Sequence, residues 1–268
     1  MTRHNILLTA FLSALATLIF WVPVPESWGN DHDDDELPLG AATLIIETTD
    51  NDIELQAFID GSPSWNRFKI YDPKERKLFD MKTKNTLKKQ GMSELFFASN
   101  PDHFAEDAPS AAADEAVEDF LRKFKAGEYE FEAERGNGDE LEGVATLTHV
   151  LPALPEIVAP VSDTDDPPRV DPNNLVIEWE PVTTRFLGDG PVEIIEYQVI
   201  LDQVDPLRAM PWVDGSTRRA LINLPGSVTR LTVPPEFLLP DAEYEFEVLA
   251  IEESGNSTIS VGEFVTSS

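Results

Sequence analysis

The stretch Ala242–Ala250, AEYEFEVLA, alternates acidic and apolar side chains and decides how the C-terminal half of the chain folds. Successive side chains of a β-strand point to opposite faces, so Tyr244, Phe246 and Val248 fall on one face and the intervening glutamates on the other. A strand with one apolar and one acidic face is typical of a β-sandwich, in which the apolar faces of two sheets form the core. We expect this strand to line such a core and to turn its glutamates outward.

The composition predicts an acidic protein of about two domains. The 268 residues include 41% hydrophobic residues, five Trp and fifteen Phe, enough to build cores in domains of ordinary size. The formal net charge is −30, and residues 151–268 carry −15 of it from 21 acidic and 6 basic residues. Such a surface repels nucleic acids and anionic membranes, so no nucleic-acid partner is expected.

The chain contains no cysteine. This excludes disulfides, thiolate metal sites and cysteine nucleophiles. Secreted animal domains of this size often carry disulfides. The absence of cysteine therefore favours a bacterial envelope or exported protein.

The first 29 residues have the pattern of an export signal. Arg3 and His4 precede the uncharged apolar run Ile6–Val22, and small residues stand at Ser27 and Gly29. We predict a signal peptide over residues 1–29 that is cleaved after Gly29, giving a periplasmic or extracellular protein with no stable membrane insertion. The alternative is an uncleaved anchor, because 17 apolar residues lie at the lower limit for a membrane span.

Residues 30–40 contain the acidic run Asp31–Glu36, DHDDDE. Clustered charges of one sign favour a solvated, disordered tail. Loose binding of a divalent cation is the alternative, although hard cations need a defined set of oxygen ligands.

Residues 41–151 predict a β-sandwich-like domain with one helix near residues 114–125. Val117, Phe120, Leu121 and Phe124 have helical spacing, and Gly127 follows as a stop. The predicted strands are Thr43–Thr48, Ile53–Ile59, Arg67–Tyr71, Lys77–Met81 and Glu94–Ala98, followed by a hairpin of Glu128–Arg135 and Leu141–His149 across Gly136–Gly138. The helix and the Gly-x-Tyr-x-Phe strand after it resemble the closing hairpin of bacterial immunoglobulin-like domains.

Residues 152–268 predict a second sandwich, with the domain boundary near Pro152–Glu156. Its predicted strands are Leu175–Trp179, Ile195–Leu201, Val228–Val233, the stretch that follows Leu238–Tyr244, and Val261–Thr266. The spacing Leu238-x-Pro240-x-Ala242-x-Tyr244 resembles the approach to the tyrosine corner of fibronectin type III domains, with Ala where Thr is common. From about residue 155 the chain resembles that family.

The resemblance implies a seven-stranded, two-sheet sandwich with Greek-key connections. It also implies that function arises through loops or exposed strands on an inert scaffold. We therefore interpret Trp179, Tyr197, Tyr244 and Phe246 as structural core residues.

The segment Arg67–Gln90 opposes the acidic trend, since it holds nine basic residues against three acidic ones. Its lysines Lys82, Lys84, Lys88 and Lys89 are candidates for docking a protein or an anionic glycan. Two other interpretations fit the same residues. Lysines can guard an edge strand against pairing with another sheet, or they can balance the acidic face of the predicted helix.

Met210 and Trp212 lie in the stretch Asp205–Gly215 after the second predicted strand of the fibronectin-like half. An exposed Trp beside Met can anchor a partner or stack on a sugar ring. The alternative is that the stretch folds over the sheet edge as a hydrophobic lid.

The sequence carries no recognisable catalytic motif. His32, His103 and His149 are isolated, and neither a zinc-binding helix, a nucleophile elbow nor a phosphate loop is present. Acidic clusters at Asp50–Glu54 and Asp163–Asp166 could hold structural calcium, but neither matches an EF-hand loop. We expect no enzyme activity, no cofactor and no metal site.

The sequence as a whole predicts an exported, non-catalytic binding or scaffolding protein of the cell envelope or extracellular space. Three alternatives stay open. The first is a carbohydrate-binding accessory protein that uses Trp212 or Trp65 as a stacking platform. The others are a glycan-acting enzyme that uses buried acids and a structural subunit of a surface layer.

Overall fold

The computed structural model describes residues 37–104, 110–162, 166–188, 190–204 and 218–268. These residues form seventeen strands, two α-helices and one 3₁₀ helix. The prediction of a mainly β protein built from sandwiches is confirmed. The predicted signal peptide and most of the predicted acidic tail lie outside the described residues.

Nine strands and both α-helices belong to the N-terminal half. The strands are β1 (Leu37–Pro38), β2 (Ala41–Thr48), β3 (Asp52–Trp65), β4 (Arg67–Tyr71), β5 (Lys77–Lys82), β6 (Met92–Ala98), β7 (Asp102–His103), β8 (Gly127–Glu134) and β9 (Glu140–Leu147), and the helices are α1 (Asn85–Gln90) and α2 (Ser110–Lys123). One sheet has the order β1-β9-β8-β4-β5, and β2-β3-β6 form a second, with β7 also pairing with β3.

The two sheets of this half enclose a core of aromatic and aliphatic side chains. Trp65, Phe68 and Phe131 are fully buried there. Helix α2 contributes Val117 and Phe120 to the same core, as the helical spacing of these residues predicts. The rings of Phe68 and Phe131 lie 5.9 Å apart in a tilted arrangement, which is a favourable geometry for aromatic packing.

Two features of this half differ from expectation. The disordered tail predicted for residues 30–40 is wrong at its end, because Leu37–Pro38 pair in parallel with β9 and Leu39 is buried in the core. Backbone pairing with β9 and the burial of Leu39 therefore order this end of the predicted tail. Helix α1 was not predicted, because its short polar sequence buries no residue and so lacks the periodic apolar stripe that identifies a helix.

Eight strands and the 3₁₀ helix Pro235–Phe237 make up the C-terminal half. The strands are β10 (Ile157–Ala159), β11 (Arg169–Val170), β12 (Val176–Trp179), β13 (Ile194–Gln203), β14 (Arg219–Pro225), β15 (Arg230–Thr232), β16 (Glu243–Glu252) and β17 (Ser257–Thr266). A three-stranded sheet, β10-β12-β15, faces a four-stranded run, β14-β13-β16-β17. This three-on-four order is that of a fibronectin type III sandwich, and the predicted fold of this half is confirmed.

The core of the second sandwich contains the aromatic residues expected from the alternating pattern. Trp179, Tyr197, Tyr244 and Phe246 are all fully buried. The backbone N–H of Val182 donates to the Tyr197 hydroxyl at 2.8 Å. The N–H of Leu239 donates to the Tyr244 hydroxyl, also at 2.8 Å. Both hydroxyl groups thus hydrogen-bond to the backbone at the margin of the core, while the two rings fill the core.

The two halves share one sheet. Strand β17 pairs in parallel with β2, with Ser257 opposite Glu47 and Thr258 opposite Thr48. The strands β14-β13-β16-β17-β2-β3-β6 therefore run as a continuous sheet from one sandwich into the other. The joint between the two sandwiches therefore consists of backbone pairing between strands as well as the linker.

Asn256 closes this joint from the turn before β17. Its Oδ1 accepts from the backbone N–H of Ile46 at 2.8 Å. Its Nδ2 donates to the carbonyl of Val150 at 3.0 Å and to Oγ1 of Thr148 at 2.9 Å. The residue is 0% exposed, so the formal glycosylation sequence Asn256–Thr258 is inaccessible in the folded protein.

Replacing Asn256 with Ala is expected to lower the free energy of unfolding by about 3 kcal/mol. The substitution leaves the buried N–H of Ile46 and the part-buried carbonyl of Val150 without their partner, and an unsatisfied buried group costs about 1–3 kcal/mol. Chemical denaturation monitored by circular dichroism measures the loss. Asn173→Ala, in an exposed loop, is the matched control and should change stability by no more than about 0.5 kcal/mol. Equal stability of the two variants would show that the amide does not hold the joint.

Candidate functional site

The basic segment Arg67–Gln90 separates into paired and unpaired cations. Arg67 and Lys77 both contact Asp80, at 2.7 and 2.6 Å. Lys69 forms an ion pair with Glu132, and Arg76 forms one with Asp72. These cations are neutralised within the N-terminal sandwich and offer little charge to a partner.

Five lysines of the segment form no ion pair with any residue of the described part of the chain. One is the exposed Lys74, between β4 and β5. The other four, Lys82, Lys84, Lys88 and Lys89, are grouped at and around α1, and all have exposed side chains. Lys82 ends β5, Lys84 directly precedes α1, and the other two occupy its last turn. We name Lys82, Lys84, Lys88 and Lys89, together with Leu87, the α1 tip. Leu87 is 48% exposed, so the tip combines four free charges with one apolar contact.

The α1 tip is held by the N-terminal sandwich even though it buries no side chain. Thr83, which is buried, donates from its N–H to the carbonyl of Asn66 at 2.8 Å. Asn66, with its amide oriented to satisfy its neighbours, donates to the carbonyl of Lys88 at 2.8 Å. The helix ends at Gly91, whose φ of +79° favours glycine and where a Cβ would meet Ser64 at 2.8 Å.

The aromatic candidates from the sequence do not form a described binding face. Trp212 and Met210 lie outside the described residues, so their role stays a prediction. Trp65 is 0% exposed and packs against Phe68, with ring centroids 5.2 Å apart. Its proposed use as a sugar platform is wrong, because a stacking platform must present a ring face to the ligand.

Glu47 is a carboxyl group buried in the joint between the two sandwiches. It is 2% exposed and accepts from Nε2 of Gln56 at 2.8 Å, while the same Nε2 contacts Glu54 at 2.7 Å. Burial, reinforced by the charges of Glu54 and Glu247, raises the pKa of Glu47 to about 8. At neutral pH this side chain is therefore mostly a neutral acid.

Glu247 departs from the expectation that the glutamates of the opening stretch face solvent. Burial, with a smaller contribution from Glu245, raises its pKa to about 7, and its Oε2 has no hydrogen-bond partner among the described residues. On the same face of the sheet Ile200, Leu249 and Ile259 form a separate buried cluster. Strand β16 thus carries apolar residues on both faces near its end, which strict alternation does not predict.

These acids do not combine into a described catalytic cleft. A groove of about 470 Å³ lies beside β10 and β17, and its lining is rich in proline and valine, with Asp166 and Glu263 as its carboxylates. Neither Glu47 nor Glu247 is among its lining residues.

Metal binding is no better supported by the geometry. In the portions of the chain that the structure describes, no three His, Cys, Asp or Glu side chains are placed to hold a metal ion. Asp52, in one of the acidic clusters, is buried and accepts from the Thr49 hydroxyl at 2.7 Å. Asp163–Asp165 of the other cluster lie outside the described residues. No helix in the described ranges has the length and apolar character needed to cross a membrane.

Comparisons with known proteins find similarity among solved structures but none among family models or curated proteins. The sequence matches no protein-family model, and a search of curated proteins finds no match. Among solved structures, the FN1–FN3 domains of chicken CNTN1 match with 11% sequence identity and a TM-score of 0.32, covering 87% of this chain and 69% of that one. The assignment of the fold rests on the strand order of the C-terminal sandwich itself.

The pKa of Glu47 predicts that stability falls as the pH rises. The native state holds this proton up to about pH 8, whereas an unfolded glutamic acid releases it near pH 4.5. The native state therefore binds more protons at this site over this range, so the contribution of Glu47 to stability is fully present below pH 4.5 and is lost progressively up to pH 8. At 1.36 kcal/mol per pKa unit the loss attributable to Glu47 is at most about 5 kcal/mol.

The check is urea denaturation at several pH values between 4.5 and 8. Glu47→Gln keeps the shape of the side chain and cannot ionise, so it should flatten the pH dependence and stabilise the protein at pH 8. Glu130→Gln, on an exposed position of β8, is the control and should retain the dependence of the parent. A slope unchanged in Glu47→Gln would assign the pH dependence to other groups.

Proposed function

We propose that this protein is an exported, non-catalytic binding or scaffolding protein that docks an anionic partner of the cell envelope at the α1 tip. The single observation that carries the proposal is that four exposed lysines grouped at the tip lack ion pairs with described residues, whereas Arg67, Lys69, Arg76 and Lys77 are neutralised. Export is supported by the apolar run Ile6–Val22 behind Arg3 and His4. A fibronectin type III fold is a scaffold suited to such a role.

The two other interpretations of the lysines explain the tip less well. Guarding of an edge strand fits Lys77 and Lys82, because both lie on the edge strand β5. It does not explain Lys88 and Lys89, which lie on a helix. The acidic face of α2 is balanced by Arg122 of the same helix, which contacts Asp119 and, at 3.6 Å, Glu118.

The electrostatic setting favours an anionic partner. The chain as a whole is strongly negative, so a compact group of positive charges orients an approaching anion towards one place. The sequence of the tip from Lys82 to Gly91 contains no aromatic residue. Recognition there depends on charge and on Leu87, and stacking on neutral sugar rings has no platform at this place.

Capture from an envelope extract of the producing cells tests the proposal. The bait is the protein purified from cells that produce the full chain, and the variant changes Lys82, Lys84, Lys88 and Lys89 to Glu. Capture should be lost in the variant and should weaken as salt is added, because screening acts on exposed charges.

The control variant changes Lys74, Lys125, Arg185 and Arg230 to Glu, which alters the net charge by the same amount at exposed positions elsewhere. It should retain the partner. Capture that survives reversal at the tip would instead direct attention to the sandwich loops. Mass spectrometry of the bait checks the export prediction, because a cleaved signal peptide gives an N-terminus at Asn30.

A further inference from the structure

Strand β6 differs from the other edge strands of the described residues. Free N–H and C=O groups make an edge strand a template for another strand, and proteins commonly shorten or charge such edges. Strands β1, β7, β10, β11 and β15 have at most three residues. Strand β5 carries Lys77 and Lys82, and β14 carries Arg219 and ends at Pro225.

By contrast, β6 is seven residues long, MSELFFA, with no proline and no basic residue. None of its residues is fully buried, as expected for a strand with an open side. Its single charge is Glu94. A long, largely apolar edge without a guarding residue is the kind of strand that pairs with another chain.

Apolar side chains stand on both faces of β6. Phe96, 37% exposed, lies on the outer face against Phe58 of β3, with ring centroids 4.7 Å apart. On the inner face the ring of Phe97 stacks on Phe79 at 4.9 Å. A strand added beside β6 would therefore meet an aromatic ladder outside and an apolar margin of the core inside.

We propose that β6 pairs in antiparallel fashion with β6 of a second copy of this chain, with Phe96 opposite Phe96. Two identical antiparallel strands are related by a two-fold axis, which gives a closed dimer. In this register Leu95 lies opposite Phe97 and Glu94 opposite Ala98. The outer face then carries the aromatic row Phe58–Phe96–Phe96–Phe58, and cross-strand aromatic pairs stabilise a sheet.

The charge of Glu94 favours the same register. A register centred on Leu95 would place Glu94 opposite Phe96 and bury a carboxylate against a ring. The register centred on Phe96 avoids this cost.

Sedimentation equilibrium of the purified protein is the first test. We expect twice the chain mass for the parent and the mass of one chain for Phe96→Lys, because the added charge blocks the edge. Leu221→Lys is the matched control, since Leu221 is 36% exposed on the edge strand β14, and it should stay dimeric. A monomeric parent, a dimeric Phe96→Lys or a monomeric Leu221→Lys would each overturn the proposal.

Single cysteines test the register, because the chain has no cysteine of its own that could form a competing disulfide. Facing Cβ atoms in an antiparallel pair lie about 4.5–5.5 Å apart, close enough for oxidation to join them after small shifts. Phe96→Cys should form a covalent dimer on mild oxidation. Ala98→Cys alone should not, whereas a mixture of Glu94→Cys and Ala98→Cys should give the mixed dimer. Covalent dimers of Ala98→Cys with none of Phe96→Cys would overturn the register.

The dimer and the docking at the α1 tip are distinguishable. Phe96→Lys leaves all four tip lysines in place, so it should lose the dimer and keep the captured partner. A different protein that copurifies with a monomeric parent and is lost in Phe96→Lys would overturn pairing between copies and identify β6 as an acceptor for a foreign strand.

Discussion

The joint between the sandwiches depends on the amide of Asn256. An amide offers an acceptor and a donor on one planar group, and here the acceptor serves β2 while the donor serves the segment that follows β9. Without that group, the parallel pairing of β17 with β2 would rest on two residue pairs. Because the joint makes the sheet continuous, it fixes the position of the α1 tip relative to the fibronectin-like sandwich.

The same joint brings together carboxyl groups that are far apart in the sequence. Glu47 lies opposite Ser257 and its pKa is raised by the charge of Glu247 from the other sandwich. The pKa of Glu47 is therefore set by burial together with charges from both sides of the joint. The burial of Glu47 and Glu247 away from a shared cleft is also the reason that raised pKa values do not indicate catalysis here.

Much of the fold could be predicted from the sequence, and the exceptions have a common cause. The alternation around Tyr244, the spacing of Val117 and Phe120, and the Gly136–Gly138 turn are local patterns, and each produced the expected element. The pairing of β17 with β2, the burial of Glu47 and the occlusion of Asn256 depend on contacts between residues about two hundred positions apart. Local periodicity carries no signal for them. At the candidate site, composition identified the lysines, but only the ion pairs of their neighbours separated the free cations from the neutralised ones.

The position of Asn256 in the chain also sets an order of events. Ser257 and Thr258 of β17 pair with Glu47 and Thr48 of β2, and contacts between residues so far apart in the sequence are slow to form. As the chain is synthesised, the N-terminal sandwich must therefore wait with one margin of β2 open until Ser257 and Thr258 arrive. Removing the last dozen residues of the sequence would therefore damage both sandwiches. While the margin of β2 is still open during synthesis, a chaperone that shields exposed strand edges would bind there.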